Sequence, residues 1–167
     1  MTREVDYSLK DAFPPVITPE ARILILGTMP GEESLRLGRY YANPRNQFWR
    51  IMQELFSIPA GAEYADRIAR LQQNHLALWD VLHSCERSGS LDSAIRNAVP
   101  NDFRALFAGH PGLKVIAFNG RKAGEWFERW VTEEPSGCQK IVLPSTSPAA
   151  AMDFKKKLAE WSVLKNL

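Results

Sequence analysis

Apolar positions along this chain follow two patterns in alternation. Short unbroken runs, Ile23-Leu24-Ile25-Leu26 and Leu76-Ala77-Leu78-Trp79, recur as Val115-Ile116-Ala117-Phe118 and Ile141-Val142-Leu143. Runs of this length, closed by glycine, asparagine or proline, predict strands buried on both faces, as in a parallel sheet. The predicted strands cover 22–26, 76–82, 114–118 and 139–143. Between them the apolar period lengthens to that of a helix. Phe48, Trp49, Met52, Leu55 and Phe56 share one face of a predicted helix over 46–56, stopped by Ser57-Ile58-Pro59-Ala60-Gly61. Further helices are predicted over 64–74, over 121–131 with Trp126, Phe127 and Trp130, and over 153–164. Pro100-Asn101-Asp102 caps a short helix through Phe107, and His110-Pro111-Gly112 is a turn. Residues 84–93, with Ser88-Gly89-Ser90, read as a loop, and residues 1–20, with Pro14, Pro15 and Pro19, as an N-terminal arm. The aromatics of the helix faces belong to the core, and Lys155-Lys156-Lys157 to a solvated face.

Strands alternating with helices predict an α/β fold, a three-layer α/β/α sandwich around a mostly parallel four-stranded sheet. No repeat, linker or low-complexity tract interrupts it, so residues 1–167 read as a single domain.

Charge narrows the function little. A net charge of +2 does not announce a polyanion partner, although a basic face can hide inside a neutral total. The N-terminus lacks an apolar signal core and no run is long enough to span a membrane, so no membrane partner and a cytoplasmic location are expected. Cys85 and Cys138 stand 53 positions apart, and the three histidines are scattered. They give no metal signature and read as two unpaired thiols in a reducing compartment.

The chemistry collects where strands end. Gly27-Thr28-Met29-Pro30-Gly31 follows the first strand, Asp80 lies in the second, Asn119-Gly120 ends the third and Pro144-Ser145-Thr146-Ser147-Pro148 follows the fourth. Asn43-Pro44-Arg45-Asn46-Gln47-Phe48-Trp49 adds amides and aromatics. Ligands of open α/β sheets bind outside the carboxyl ends of the strands. There is no GxSxG elbow, no Walker loop and no GxGxxG. What remains is rich in amides and hydroxyls and poor in charge. Such groups read the edge of a flat heterocycle, and Tyr40 or Tyr41 can hold its face. A flipped nucleobase meets that description, as do other small ligands of an α/β domain. Asn46 also precedes an apolar helix and could serve as its cap, and Asn43-Pro44 as a turn.

These blocks, taken in order, resemble the uracil-DNA glycosylase superfamily, and within it the DNA-deoxyinosine (hypoxanthine-DNA) glycosylase branch. Leu26-Gly27-Thr28-Met29-Pro30-Gly31 resembles the first motif, Tyr40 through Trp49 the Asn-x-Phe-Trp block, and Leu143 through Ala149 the last motif, the loop that meets the DNA minor groove. Leu78-Trp79-Asp80-Val81-Leu82 and Phe118-Asn119-Gly120 are also typical of the branch. The resemblance spans roughly residues 20–160.

It implies a monofunctional glycosylase of base-excision repair, acting as a monomer on DNA that contains deaminated bases, with neither cofactor nor metal. Hypoxanthine is the expected base, with uracil and xanthine as further candidates. Met29 stands where mismatch-specific relatives carry a working asparagine, so the catalytic amide is assigned to Asn46, with Asn43 in reserve. Tyr41 would stack on the extruded base, with Met29 as a pocket wall, while Thr28 and Asp80 read its edge. Ser145, Thr146 and Ser147 would hold the DNA backbone. Ala149 occupies the position of the bulky residue that fills the gap in relatives. Met29 keeps a different class open, a non-catalytic module that binds nucleic acid or a nucleotide on the same fold. A metal-dependent nucleoside hydrolase is disfavoured by the lack of an aspartate cluster.

Overall fold

The four predicted strands form one parallel sheet, and a second sheet that local pattern did not announce lies beside it. The computed structural model describes residues 9–132 and 134–167. In chain order the elements are β1 (Leu9–Asp11), β2 (Ile23–Gly27), α1 (Glu32–Leu37), α2 (Phe48–Phe56), α3 (Tyr64–Gln73), β3 (Leu76–Asp80) and β4 (Leu82–Glu86). They continue with β5 (Arg96–Pro100), α4 (Phe103–Gly109), β6 (Val115–Asn119), α5 (Arg121–Trp130), β7 (Gln139–Leu143) and α6 (Phe154–Trp161). The predicted arm is named here only from Leu9 onward, since residues 1–8 lie outside the described residues.

The main sheet has the order β3-β2-β6-β7, all parallel. Side chains alternate across it, as strand geometry requires. Leu24, Leu26, Ala77, Trp79, Ile116 and Phe118 face one core, closed by Phe103 and Phe107 of α4 and Phe127 of α5. Ile23, Ile25, Leu76, Leu78, Val115 and Ala117 face the other, closed by Phe48, Ile51, Met52 and Leu55 of α2, Leu71 of α3 and Trp161 of α6. Runs without polar breaks were therefore required, because each strand meets helices on both sides. The result is the expected three-layer sandwich. Connections from β2 lead to β3 on one side and, later in the chain, to β6 on the other. The sheet thus reverses direction of growth at the carboxyl ends of β2 and β6, where a crevice opens.

Three expectations are corrected. Residues 84–93 are not one loop: β4 and β5 pair antiparallel, and β1 pairs with β4, giving the order β1-β4-β5. The predicted strand 76–82 is two strands in different sheets. Val81 sits at the crossing, its N–H donating to the Gly27 carbonyl at 2.8 Å while that of Leu82 donates to the Thr28 carbonyl at 3.1 Å. The two bonds carry the chain across the end of β2 and start the second sheet. Lys157 is not solvated: it is 1% exposed, and its ammonium donates to the Ala150 carbonyl at 3.4 Å. Burial lowers its pKa. Among the core aromatics, Phe48, Trp49 and Phe127 are buried, Trp126 is partly buried, and Trp130 is 42% exposed. The α1 helix, unforeseen because it spans only six residues, closes on Gly38 in the left-handed region at φ 66°.

Candidate active site

The crevice at the ends of β2 and β6 is a cleft of about 590 Å³. Its walls come from the turn 27–34, the segment 40–46, Asp80, the stretch 90–93, residues 119–122 and the loop 145–150. Every residue singled out as a site candidate from sequence lines it: Thr28, Met29, Tyr41, Asn43, Asn46, Asp80, Ser145, Thr146, Ser147 and Ala149. Segments more than a hundred positions apart meet there because the sheet delivers all their strand ends to one edge.

Asp80 closes the inner end of β3 and is 4% exposed. Its Oδ2 is buried and has no hydrogen-bond partner among the described residues. Burial pushes its carboxyl up to about 7, the charge of Asp92 adds in the same direction, and Arg87 opposes both. Gly27 permits this placement, since a Cβ there would lie 2.7 Å from Asp80 Oδ1. Arg87 is itself 2% exposed. Its Nε donates to the Gly89 carbonyl at 2.8 Å, its Nη2 to the Pro30 carbonyl, and its Nη1 is unpartnered among the described residues. Burial raises the pKa of Asp92, outweighing the Thr28 side chain and the cations Arg87 and Lys122, which favour its charged form. The buried Asp80 and the partly buried Asp92 thus line one cleft, and the buried Arg87 guanidinium behind them favours the charged form of both.

Tyr41 adopts φ 55°, an unusual conformation for a residue with a Cβ, and such strain concentrates at working sites. Its ring stacks on Phe48, centroids 4.0 Å apart and planes 23° from parallel. Its hydroxyl accepts from Asn119 Nδ2 at 3.2 Å, and burial raises its pKa. Asn119 Nδ2 also donates to Thr146 Oγ1 at 2.9 Å, and its Oδ1 accepts from the Thr146 N–H at 2.9 Å. Asn119 is thus a clasp joining Tyr41 to the loop after β7, beyond the turn that sequence suggested. Thr146 is fully buried by the same bonds, so its hydroxyl faces inward and is not available to a ligand backbone. Ser145 and Ser147 remain at the surface of the loop. Their hydroxyls accept from the Ser147 and Ala149 N–H groups, each at 3.2 Å. The loop is anchored from behind by Trp161, whose indole N–H donates to the Pro144 carbonyl at 2.8 Å.

Asn46 stands one residue before the N-cap, Gln47, and supports the helix start from there. The helix begins two residues later, at Phe48, and Asn46 Oδ1 accepts the Phe48 N–H at 3.0 Å. That capping bond fixes which end of the amide is free: Nδ2 has no partner among the described residues. Asn43 Oδ1 similarly accepts the Arg45 N–H at 2.9 Å, and its carbonyl accepts the Asn46 N–H at 2.9 Å. The Gln47 N–H reaches the Thr146 carbonyl at 3.0 Å, tying this segment to the last loop.

Sequence reasoning missed Arg87, Ser90, Leu91 and Asp92, all within the stretch read as a featureless loop. The signal available was an arginine and an aspartate flanking Ser-Gly-Ser, which has no meaning until β4 and β5 bring both ends beside β2. No cluster of three or more histidines, cysteines or carboxylates able to hold a metal occurs among the described residues. Cys85 and Cys138 are both free. Among the described residues no helix is long and apolar enough to cross a membrane.

Comparison with known proteins matches residues 14–166 to the uracil DNA glycosylase superfamily. The chain is 38% identical to the Hypoxanthine DNA glycosylase of Methanosarcina acetivorans over 161 residues, covering 93% of this chain and 98% of that protein. It is 36% identical to the protein of the same name from Methanosarcina barkeri, covering 92% and 96% respectively. Among solved structures, the fold is similar to the solution NMR structure of a candidate uracil DNA glycosylase from Methanosarcina acetivorans. The TM-score is 0.82 at 38% identity, over 95% of this chain and 97% of the other.

Proposed function

The chain belongs to the uracil DNA glycosylase superfamily, and from that premise we propose that it is a monofunctional DNA glycosylase of base-excision repair. It flips a deaminated base, hypoxanthine above all and uracil or xanthine besides, out of DNA and hydrolyses the N-glycosidic bond, leaving an abasic site. The observation that carries this reading is the open, buried oxygen of Asp80 on the floor of a cleft otherwise lined by amides, hydroxyls and an aromatic ring. On this reading the protein works as a monomer in the cytoplasm on DNA that contains deaminated bases.

A carboxyl near pH 7 in its neutral form offers a donor and an acceptor side by side. Hypoxanthine and uracil both present a carbonyl beside a ring N–H, the complementary pair. Asn119, whose amide is committed to Tyr41 and Thr146, is the poorer reader of that edge. Tyr41, stacked on Phe48 by one face, supports the extruded base with the other, and Met29 walls the pocket.

Bond cleavage sends the electron pair of the glycosidic bond to the departing base and leaves an oxocarbenium-like sugar. Catalysis then consists of stabilising the charge on the base and delivering water to the sugar carbon. The capping bond of Asn46 leaves its Nδ2 as a donor, which suits the negative charge growing on the base or the lone pair of the attacking water. Asn43 is held one turn away and is the reserve donor. Water supplies the new C–O bond, and the proton it releases ends on the base. On this reading the hydroxyls of Ser145 and Ser147 and the exposed Ala149 meet the DNA backbone, a usual use of hydroxyl groups.

The experiment is single-turnover incubation with duplexes carrying one deoxyinosine, deoxyuridine or deoxyxanthosine, followed by alkali to cut abasic sites. Strand cleavage at deoxyinosine above the others is the expected outcome. Cleavage at none of them by folded protein would leave a nucleic-acid-binding module, with Met29 in place of a catalytic group as the reason.

A further inference from the structure

Base flipping leaves a hole in the duplex, and proteins that distort DNA commonly insert an apolar side chain where the stack is broken. The loop after β7 offers only Ala149 for that purpose, and a methyl group cannot fill the space of a base. Across the cleft, however, stands Leu91. It is 59% exposed, and of the large apolar side chains exposed among the described residues it is the one that lines the cleft. The rest of its loop, Ser88-Gly89-Ser90 and Asp92-Ser93, is polar.

The loop is held from two sides. Ser90 Oγ accepts the Glu32 N–H at 2.8 Å, binding the loop to the start of α1. Asp92 lies beside the Thr28 side chain, which favours its charged form. Arg87 joins the Gly89 carbonyl to that of Pro30, fastening the base of the loop to the turn after β2. Leu91 itself begins a 3-10 turn over Asp92–Ala94, its carbonyl accepting the Ala94 N–H at 3.1 Å. With Ser90 bonded to the start of α1 and Arg87 to the turn after β2, Leu91 is left exposed on a fixed backbone. Singly exposed apolar side chains are ordinary, and what sets Leu91 apart is its place at the rim of the cleft, where whatever enters the cleft can cover it. The partner that enters this cleft on the proposed reading is an opened base stack.

Resting on that reading, we infer that Leu91 is the wedge of this enzyme, entering the duplex from the β4–β5 loop to hold the target base out, in place of the residue that Ala149 replaces. The chemical partner is the apolar face of the base pairs flanking the flipped nucleotide.

The test compares Leu91→Ala and Leu91→Phe with the parent protein on two duplexes, one with deoxyinosine paired to deoxycytidine and one with deoxyinosine opposite an abasic analogue. A wedge matters when the target is paired and stacked. Leu91→Ala should therefore lower the single-turnover rate on the paired duplex by about tenfold or more and leave the unpaired one within about twofold, while Leu91→Phe retains most of the paired rate. An equal loss on both duplexes, or no loss on either, overturns the inference. A second readout does not need chemistry: 2-aminopurine beside the target should brighten on binding parent protein and stay dim with Leu91→Ala. Brightening without cleavage would sink the proposed activity while keeping the wedge. Cleavage with brightening equal in both proteins would sink the wedge alone, and neither signal from the parent protein would sink both.

Discussion

Replacing Asp80 by asparagine should remove a stability penalty that grows with pH. The carboxyl is 4% exposed, one oxygen has no partner, and burial with the Asp92 charge holds its pKa at about 7 against an ordinary 3.8. The folded state therefore binds this proton more tightly than the unfolded chain does. A raised carboxyl costs nothing at pH values below 3.8, destabilises increasingly between 3.8 and about 7, and carries its full penalty above that. At 1.36 kcal/mol per pH unit the penalty is about 2 kcal/mol near pH ~5.5 and about 4 kcal/mol near pH ~8.5. The charge of Asp92 couples to that of Asp80, so the difference between the two proteins reads Asp80 together with this one neighbour. Urea unfolding of the parent and Asp80→Asn at those two pH values should show the variant gaining about 2 kcal/mol on the parent as pH rises. With a denaturant slope of about 2 kcal/mol per molar, that is a relative midpoint shift of roughly 1 M urea. Parallel stability profiles would refute the reasoning, because they would mean that Asp80 ionises as readily folded as unfolded.

Asn46→Ala should lower the single-turnover excision rate at least ~10²-fold through loss of a transition-state donor, and cost about 1 kcal/mol of stability through loss of the cap. Asn46→Asp keeps the acceptor for Phe48 N–H but not the donor, so it should recover stability in a thermal melt without recovering rate; an active Asn46→Asp protein would remove the amide from the mechanism. Tyr41→Ala should weaken engagement of the base by roughly 1–3 kcal/mol, read as binding to a duplex with a non-cleavable deoxyinosine analogue, and unchanged affinity would reject stacking. Gly27→Ala brings a methyl carbon to 2.7 Å from Asp80 Oδ1 and 3.6 Å from the Tyr41 hydroxyl. It should cost about 1–3 kcal/mol by overpacking and depress excision as the carboxyl is displaced, and a fully active variant would dissociate Asp80 from base recognition.

The parallel sheet was legible because its strands are covered on both faces. That double burial writes itself into the sequence as unbroken apolar runs, each visible within five residues, as in Ile23–Gly27 and Val115–Asn119. The gathering of chemistry at strand ends was legible for a related reason: parallel topology delivers every carboxyl end to the same edge. The second sheet left no such mark. Arg96–Pro100 mixes two polar residues with alanine, valine and proline and buries none of them, and β4 exposes His83 while burying Ser84, so neither strand shows a clean period. Each is a strand because a partner distant in sequence supplies its hydrogen bonds, as Leu9 does for Glu86. Environment was equally beyond local reading. Asp80 is an ordinary aspartate in sequence; its raised pKa comes from burial and from the charge of Asp92 on a neighbouring loop, against the opposing pull of Arg87. Thr146 was expected to face DNA, yet a clasp with Asn119, 27 positions earlier, turns its hydroxyl inward. Sequence alone determined the elements whose burial is periodic and the residue types brought to the cleft. Tertiary structure decided which of those groups are already satisfied and which are left open, because hydrogen-bond partners and dielectric are properties of a place in the fold and not of a position in the chain.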